Sequence, residues 1–175
     1  MVLPKLENVC TPQEYKGVLE IMAQGFPWYY NESSVYEGDG CPQMIHSIFD
    51  PVNGIESDYY WKCRPIIQAL GRHVFERNFD EKDRLPILIR IKANMKLPGI
   101  QKETPLHQDM ANDLPTRSRY TAIYYVNSND GYTVTQSGDR IKSEENTAFV
   151  FNSHLHHGGC NATDDRRVVI NFNFM

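Results

Sequence analysis

The chain has 175 residues, 41% hydrophobic and 23% charged, enough for one domain with its own apolar core. Its formal net charge of -4 argues against a surface that neutralises many phosphates, which needs clustered Lys and Arg, so nucleic acid is not an expected partner. No apolar run reaches the length of a membrane span, and the opening residues (Met1 to Glu7) carry no apolar stretch of signal-peptide length. The four scattered cysteines (Cys10, Cys41, Cys63, Cys160) form no Cys-x-x-Cys pair and read as free thiols of a cytoplasmic protein.

In chain order, Thr11-Pro12-Gln13-Glu14 reads as a capping box with proline at the first helical position. The helix it starts is expected to run to about Gln24 and stop at Gly25, packing through Tyr15, Val18, Ile21 and Met22. Pro27-Trp28-Tyr29-Tyr30 begins a strand. Residues 31–54 are rich in Gly, Pro, Ser, Asp and Asn and read mostly as loop with short strands. His46, flanked by Ile45, Ile48 and Phe49, reads as a structural histidine. Ser57 caps a second helix, with a kink or a fresh start at Pro65. Ile66, Ile67, Leu70, Val74 and Phe75 form its core face, and His73 and Arg77 fall off that stripe.

After Pro86 the period changes from helix to strand. Ile87, Ile89, Ile91 and Ala93 alternate with Leu88, Arg90, Lys92 and Asn94; Arg90 and Lys92 face either solvent or a cavity. Further strands are expected at 118–127, 131–135, 139–142, 147–152 and 167–174. Two helices followed by a run of strands imply a single domain of mainly β class over 1–175. Residues 1–80 would supply helical support and loops, and 86–175 a β-sandwich or barrel core.

The chemistry-bearing residues fall within that β half. In extended backbone, side chains alternate, so His107 and Asp109 of Leu106-His107-Gln108-Asp109 point the same way, under about 7 Å apart along the strand. Two such side chains can converge on one metal. Past the apolar strand Phe149-Val150-Phe151 comes Asn152-Ser153-His154-Leu155-His156-His157. Three histidines in four residues at a strand end are poorly explained by packing, and any of them can complete a two-histidine, one-carboxylate site of the kind that holds non-haem Fe(II). The last strand divides into an apolar face (Val168, Ile170, Phe172, Phe174) and a face carrying Arg167, Val169, Asn171 and Asn173. Strand parity puts Arg167, and not Arg166, on the polar side, where a guanidinium can fork onto a carboxylate.

The set His107-x-Asp109, a histidine near 157 and an arginine ten residues on resembles the iron- and 2-oxoglutarate-dependent oxygenases, in particular the prolyl 4-hydroxylase-like branch. Thr121-Ala122-Ile123-Tyr124-Tyr125-Val126-Asn127 is similar to that branch's strand after the His-x-Asp motif. Arg166-Arg167-Val168-Val169-Ile170-Asn171-Phe172-Asn173-Phe174 resembles compact members from bacteria and their viruses. The resemblance spans residues 86–174 and implies a double-stranded β-helix (jelly roll, cupin-like) packed on N-terminal helices. It implies Fe(II) held by His107, Asp109 and His157, the last chosen because the family's third histidine follows six residues after the strand-ending phenylalanine. It also implies that Arg167 binds the distal carboxylate of 2-oxoglutarate, with Tyr125 and, more weakly, Asn94 contributing to the co-substrate site.

The implied activity uses Fe(II), 2-oxoglutarate and O₂ to hydroxylate an unactivated C–H of a peptidyl or small-molecule substrate, releasing succinate and CO₂. A carboxylate at Asp109 is the pattern of hydroxylating relatives rather than halogenating ones. Asn173 stands where nucleobase-demethylating relatives carry a second arginine, which again argues against nucleic acid. Two other readings fit parts of the pattern: a cupin-like zinc or manganese protein without oxygen chemistry, and a non-enzymatic β-sandwich interaction module. Residues 31–56 and 110–118 are expected to rim the cavity mouth.

Overall fold

Alternation along two segments near the middle and the end of the chain builds the centre of the main sheet. The computed structural model describes residues 5–77, 87–109 and 120–175. In order the elements are α1 (Pro12–Val18), a 3-10 turn (Leu19–Met22), β1 (Tyr29–Asn31), β2 (Gln43–Asp50), β3 (Ile55–Glu56) and α2 (Tyr60–Arg77). Then come β4 (Leu88–Lys96), β5 (Tyr120–Tyr125), β6 (Tyr132–Thr135), β7 (Arg140–Lys142), β8 (Thr147–Asn152), β9 (His157–Cys160) and β10 (Arg167–Phe174). The larger sheet runs β1-β2-β4-β10-β5-β8, with β3 on β2; the smaller runs β7-β6-β9, and the strand pairs are antiparallel. Helices on one face and a second sheet on the other make this a jelly roll braced by its N-terminal half.

The two faces of the larger sheet do different work. Ile91, Ala93 and Met95 of β4, and Val168, Ile170, Phe172 and Phe174 of β10, pack with Val18, Ile21, Cys63, Ile66 and Leu70 from the helical layer. The opposite face carries a smaller apolar cluster of Ile123, Tyr125, Phe149, Phe151 and Val169, with Ile141 of β7 against it. The same strands therefore insulate an interior from the helices and line it. β4 and β10 are paired Arg167↔Lys96, Val169↔Asn94, Asn171↔Lys92 and Asn173↔Arg90. That register sets four pairs of inward-pointing side chains in a ladder.

Several local expectations meet their physical counterparts. The capping box forms: the Glu14 N–H donates to Thr11 Oγ1 at 3.4 Å and the Thr11 N–H to Glu14 Oε2 at 2.8 Å. The α-helix is shorter than its periodicity suggests and tightens into the 3-10 turn before Gly25. His46 is structural: Nδ1 donates to Pro27 O and Nε2 accepts from Ser57 Oγ, both at 2.9 Å. All four cysteines are buried and unpaired.

Three expectations are corrected. Residues 43–50, read as part of a loop-rich stretch, form the eight-residue β2, because the punctuating glycines and proline cluster just ahead of it while Gln43, His46 and Ile48 bury inward. α2 passes through Pro65 without a second start near Arg64, at the cost of the bond that an N–H at position 65 would have made to Trp61 O. β9 follows directly on residues read as a post-strand loop, its two glycines masking it. Val74, Phe75, His73 and Arg77 have side chains outside the described part. The expected rim 110–118, and residues 118 and 119 of the strand expected at 118–127, also lie outside the described residues.

Phe172 is fully buried at the centre of the sheet-helix core. Replacing Phe172 with Ala should lower unfolding stability by about 3–5 kcal/mol in denaturant titration, as truncation of a buried aromatic does.

Candidate metal and co-substrate site

The site is built where the two sheets meet. Residues 103–107 run antiparallel to β9, with bridges joining Glu103 to Cys160 and His107 to His157. The His107 N–H donates to His157 O and the His157 N–H to His107 O, each at 2.9 Å. This hydrogen-bonded pair fixes the two histidines opposite each other, and their rings stand 4.8 Å apart. The close approach explains the glycine of β9: a Cβ on Gly158 would meet Thr104 O at 2.7 Å.

Asp109 completes the group from the same segment, two residues on. His107 Nε2 is 3.7 Å and His157 Nε2 is 3.6 Å from Asp109 Oδ1, and the three potential ligand atoms lie within 4.8 Å of one another. Each ring's other nitrogen faces a backbone carbonyl: His107 Nδ1 to Pro105 O and His157 Nδ1 to Leu155 O, both 3.2 Å. A carbonyl can only accept, so each Nδ1 carries the proton and each Nε2 presents its lone pair to Asp109's side. Two imidazole nitrogens and a carboxylate oxygen facing one point are the donor set of non-haem Fe(II) with positions left open.

Electrostatics prepare those donors. Burial, the largest influence on His157, holds it below its ordinary pKa against the pull of Asp109, which favours the neutral, ligating imidazole. Burial alone would raise the Asp109 carboxyl, but the company of His107, His157 and Arg90 holds it well below the usual carboxylate range. Behind it, Asn173 Nδ2 donates to Asp109 Oδ2 at 3.2 Å and to Thr121 Oγ1 at 3.1 Å, while Asn173 Oδ1 accepts from Arg90 Nε at 3.0 Å. The amide thus aims the carboxylate and holds the arginine next to it.

A cavity of about 290 Å³ opens from this triad along the β4–β10 ladder. Arg167 is 4% exposed on its wall. Its Nε donates to Ser143 Oγ at 2.8 Å and its Nη2 to Thr133 Oγ1 at 2.9 Å. Gly131 leaves room for it: a Cβ there would stand 2.7 Å from Arg167 Cδ. Lys96, opposite Arg167 in register and 8% exposed, reaches Ser34 Oγ at 3.3 Å.

The structure brings His107, Asp109, His157, Arg167 and Asn94 to one cavity. Of the doubled residues, His156 is exposed and Arg166 turns away to Met22 O at 2.8 Å. Tyr125 stands behind the wall, its hydroxyl donating to Thr133 Oγ1 at 2.9 Å and its ring 5.7 Å from the Arg167 guanidinium. Ser34 and Val35, from the segment expected at the mouth, do line the cavity, as does Gln43 of β2. Sequence reading missed Lys96, Thr133 and Ser143. The alternation along β4 predicts Lys96 once the strand is extended by one residue, whereas Thr133 and Ser143 carry no local signal.

Neither a protein-family profile nor a curated protein matches the sequence. Solved structures do match its fold. A viral collagen prolyl hydroxylase from Paramecium bursaria Chlorella virus-1, in a 2-oxoglutarate complex, superposes with a TM-score of 0.68 at 12% identity, covering 98% of this chain and 94% of that one. A 2OG-Fe(II) oxygenase family oxidoreductase from Burkholderia pseudomallei gives 0.69 at 15% identity, with 99% and 84% covered. The epimerase SnoN, in complex with Fe³⁺, α-ketoglutarate and nogalamycin RO, gives 0.62 at 13%, with 98% and 77% covered. The chain has the fold of the 2-oxoglutarate/Fe(II) oxygenases.

Asn173→Ala should leave the fold intact and weaken binding of Fe(II), or of Mn(II) as a redox-stable substitute, by roughly 10–100-fold, the usual effect of removing a group that orients a metal ligand. Competition titration with a chelator reads the change.

Proposed function

We propose that the protein is an Fe(II)- and 2-oxoglutarate-dependent dioxygenase that hydroxylates an unactivated C–H bond of a peptidyl or small-molecule substrate, with release of succinate and CO₂. One observation carries the reading: a two-histidine, one-carboxylate cluster shares a single cavity with a deeply buried arginine. A zinc or manganese site without oxygen chemistry has no use for Arg167, whose burial without a carboxylate partner is costly. A structural β-sandwich has no use for either feature.

Each role follows from the chain's own groups. His107, Asp109 and His157 would hold the metal and leave neighbouring positions open. Arg167 would take the distal carboxylate of 2-oxoglutarate, with Thr133 and Ser143 orienting the guanidinium and Tyr125 steadying Thr133 from behind. Lys96 adds positive charge at the same end. Ile123 and Val169, on the wall between the charged groups, restrict water near the reacting carbon and strengthen the electrostatic contacts around it. The bound metal and co-substrate supply the oxidising chemistry with O₂; the protein holds, orients and dries the site. The solved structures of the same fold include a prolyl hydroxylase and an epimerase, so the scaffold does not dictate the outcome at the substrate carbon.

Purified protein should form succinate only when Fe(II), 2-oxoglutarate and O₂ are all present. Absence of both turnover and anaerobic 2-oxoglutarate binding would end the proposal. Arg167→Ala should weaken 2-oxoglutarate binding roughly 30-fold or more, as loss of one member of a buried charge pair does, while metal binding stays near wild type; unchanged 2-oxoglutarate affinity would remove that role from Arg167.

A further inference from the structure

The cavity holds more positive charge than its metal and co-substrate require. Its wall carries Arg90, Lys92, Lys96 and Arg167, and Asp109 is the only acidic side chain on it among the described residues. Asp109 and the metal-binding end of 2-oxoglutarate would offset the metal's charge, and the distal carboxylate would offset Arg167, with Lys96 beside it. Arg90 is already engaged with Asn173 and Asp109. Lys92 remains. Among the described residues its ammonium has neither hydrogen bond nor ion pair, and burial, and after it the charge of Arg90, pushes its pKa down against the weaker pull of Asp109.

A second, independent feature sits directly across the ladder. Asn171 pairs with Lys92 in the register and lines the same cavity. Its Oδ1 is the one buried side-chain polar atom without a partner among the described residues. A half-buried cation and an unpaired amide oxygen side by side are costly unless a ligand offers an acceptor to the one and a donor to the other. Lys92 lies four residues along β4 from Lys96, roughly 13 Å of strand. A five-carbon diacid anchored at Arg167 and the metal has no third charge to offer it.

We infer that Lys92 and Asn171 form a substrate subsite that takes a free carboxylate with an N–H or O–H donor beside it, so that the molecule oxidised is a small amino or hydroxy acid and not an internal residue of a peptide. The inference rests on the oxygenase reading and narrows it. The substrate's carboxylate would accept from the Lys92 ammonium and the N–H or O–H beside it would donate to Asn171 Oδ1, with Arg90 adding long-range attraction. The rest of the molecule would extend toward the open metal positions.

The test uses the full chain loaded with Fe(II) and 2-oxoglutarate. Under argon, a panel of small carboxylic acids bearing an α-amino or α-hydroxyl group, their amides and methyl esters, and phosphate monoesters of similar size is titrated by calorimetry. The acids that bind are then assayed in air for stimulated succinate release. Acids should bind and stimulate, and their amides and esters should not. Lys92→Met should weaken acid binding roughly tenfold or more, with Lys92→Arg restoring most of it, while 2-oxoglutarate affinity and substrate-independent succinate formation stay unchanged. Four results overturn the subsite: equal binding of acids and amides, no binding by any acid, preference for phosphate monoesters, or loss of 2-oxoglutarate affinity in Lys92→Met. Failure of the wild-type protein to bind 2-oxoglutarate would instead strike at the oxygenase reading itself, and the calorimetry separates the two.

Discussion

Two backbone hydrogen bonds between His107 and His157, each 2.9 Å long, hold the site together. They lock the segment carrying Asp109 onto β9, and so bring residues fifty apart in sequence into one ligand group. Because both ring Nδ1 atoms are engaged by carbonyls of the same two segments, the pairing fixes ring orientation and tautomer as well as position. It demands a backbone approach that only glycine permits at position 158. An Ala there would push the Thr104 segment off β9 and splay the ligands before it touched the core.

The rest of the architecture serves to line a charged interior. Alternation on β4 and β10 sends aliphatic and aromatic side chains to the helices and polar ones inward. Apart from Val169, the inward set of these two strands consists of cations and of asparagines that connect or face them. Burying cations without carboxylate partners costs stability, and the protein meets that cost with hydroxyls: Ser143 and Thr133 on Arg167, Ser34 on Lys96. Such a cavity is preorganised for anions, and it discriminates against neutral ligands before any shape complementarity acts.

How much of this was legible in the sequence follows from how local each signal is. The capping box, the helix face of Ile66 and Leu70, and the two-faced last strand are written in neighbours a few residues apart, and all appear. The choice of His157 over His156 and of Arg167 over Arg166 needed strand parity and a family spacing, and the geometry separates both pairs. β9 escaped because its glycines answer distant contacts, Gly158 with Thr104 more than fifty residues upstream and Gly159 with the Arg167 guanidinium. Thr133 and Ser143 escaped for the same reason, since a hydroxyl's partner depends on which strands come together. Asn173 was placed on the correct face, but its bond to Asp109 depends on a meeting of segments that no window of sequence contains.

The most direct measurement is a crystal structure of the protein with Mn(II) and 2-oxoglutarate, prepared without oxygen and read by anomalous scattering. A single metal peak should lie among His107 Nε2, His157 Nε2 and Asp109 Oδ1, at roughly 2.0–2.2 Å from each, with the distal carboxylate of 2-oxoglutarate on Arg167 and Lys92 left clear of it. A metal bound elsewhere, or a 2-oxoglutarate whose distal carboxylate rests on Lys92, would contradict the assignment of the site.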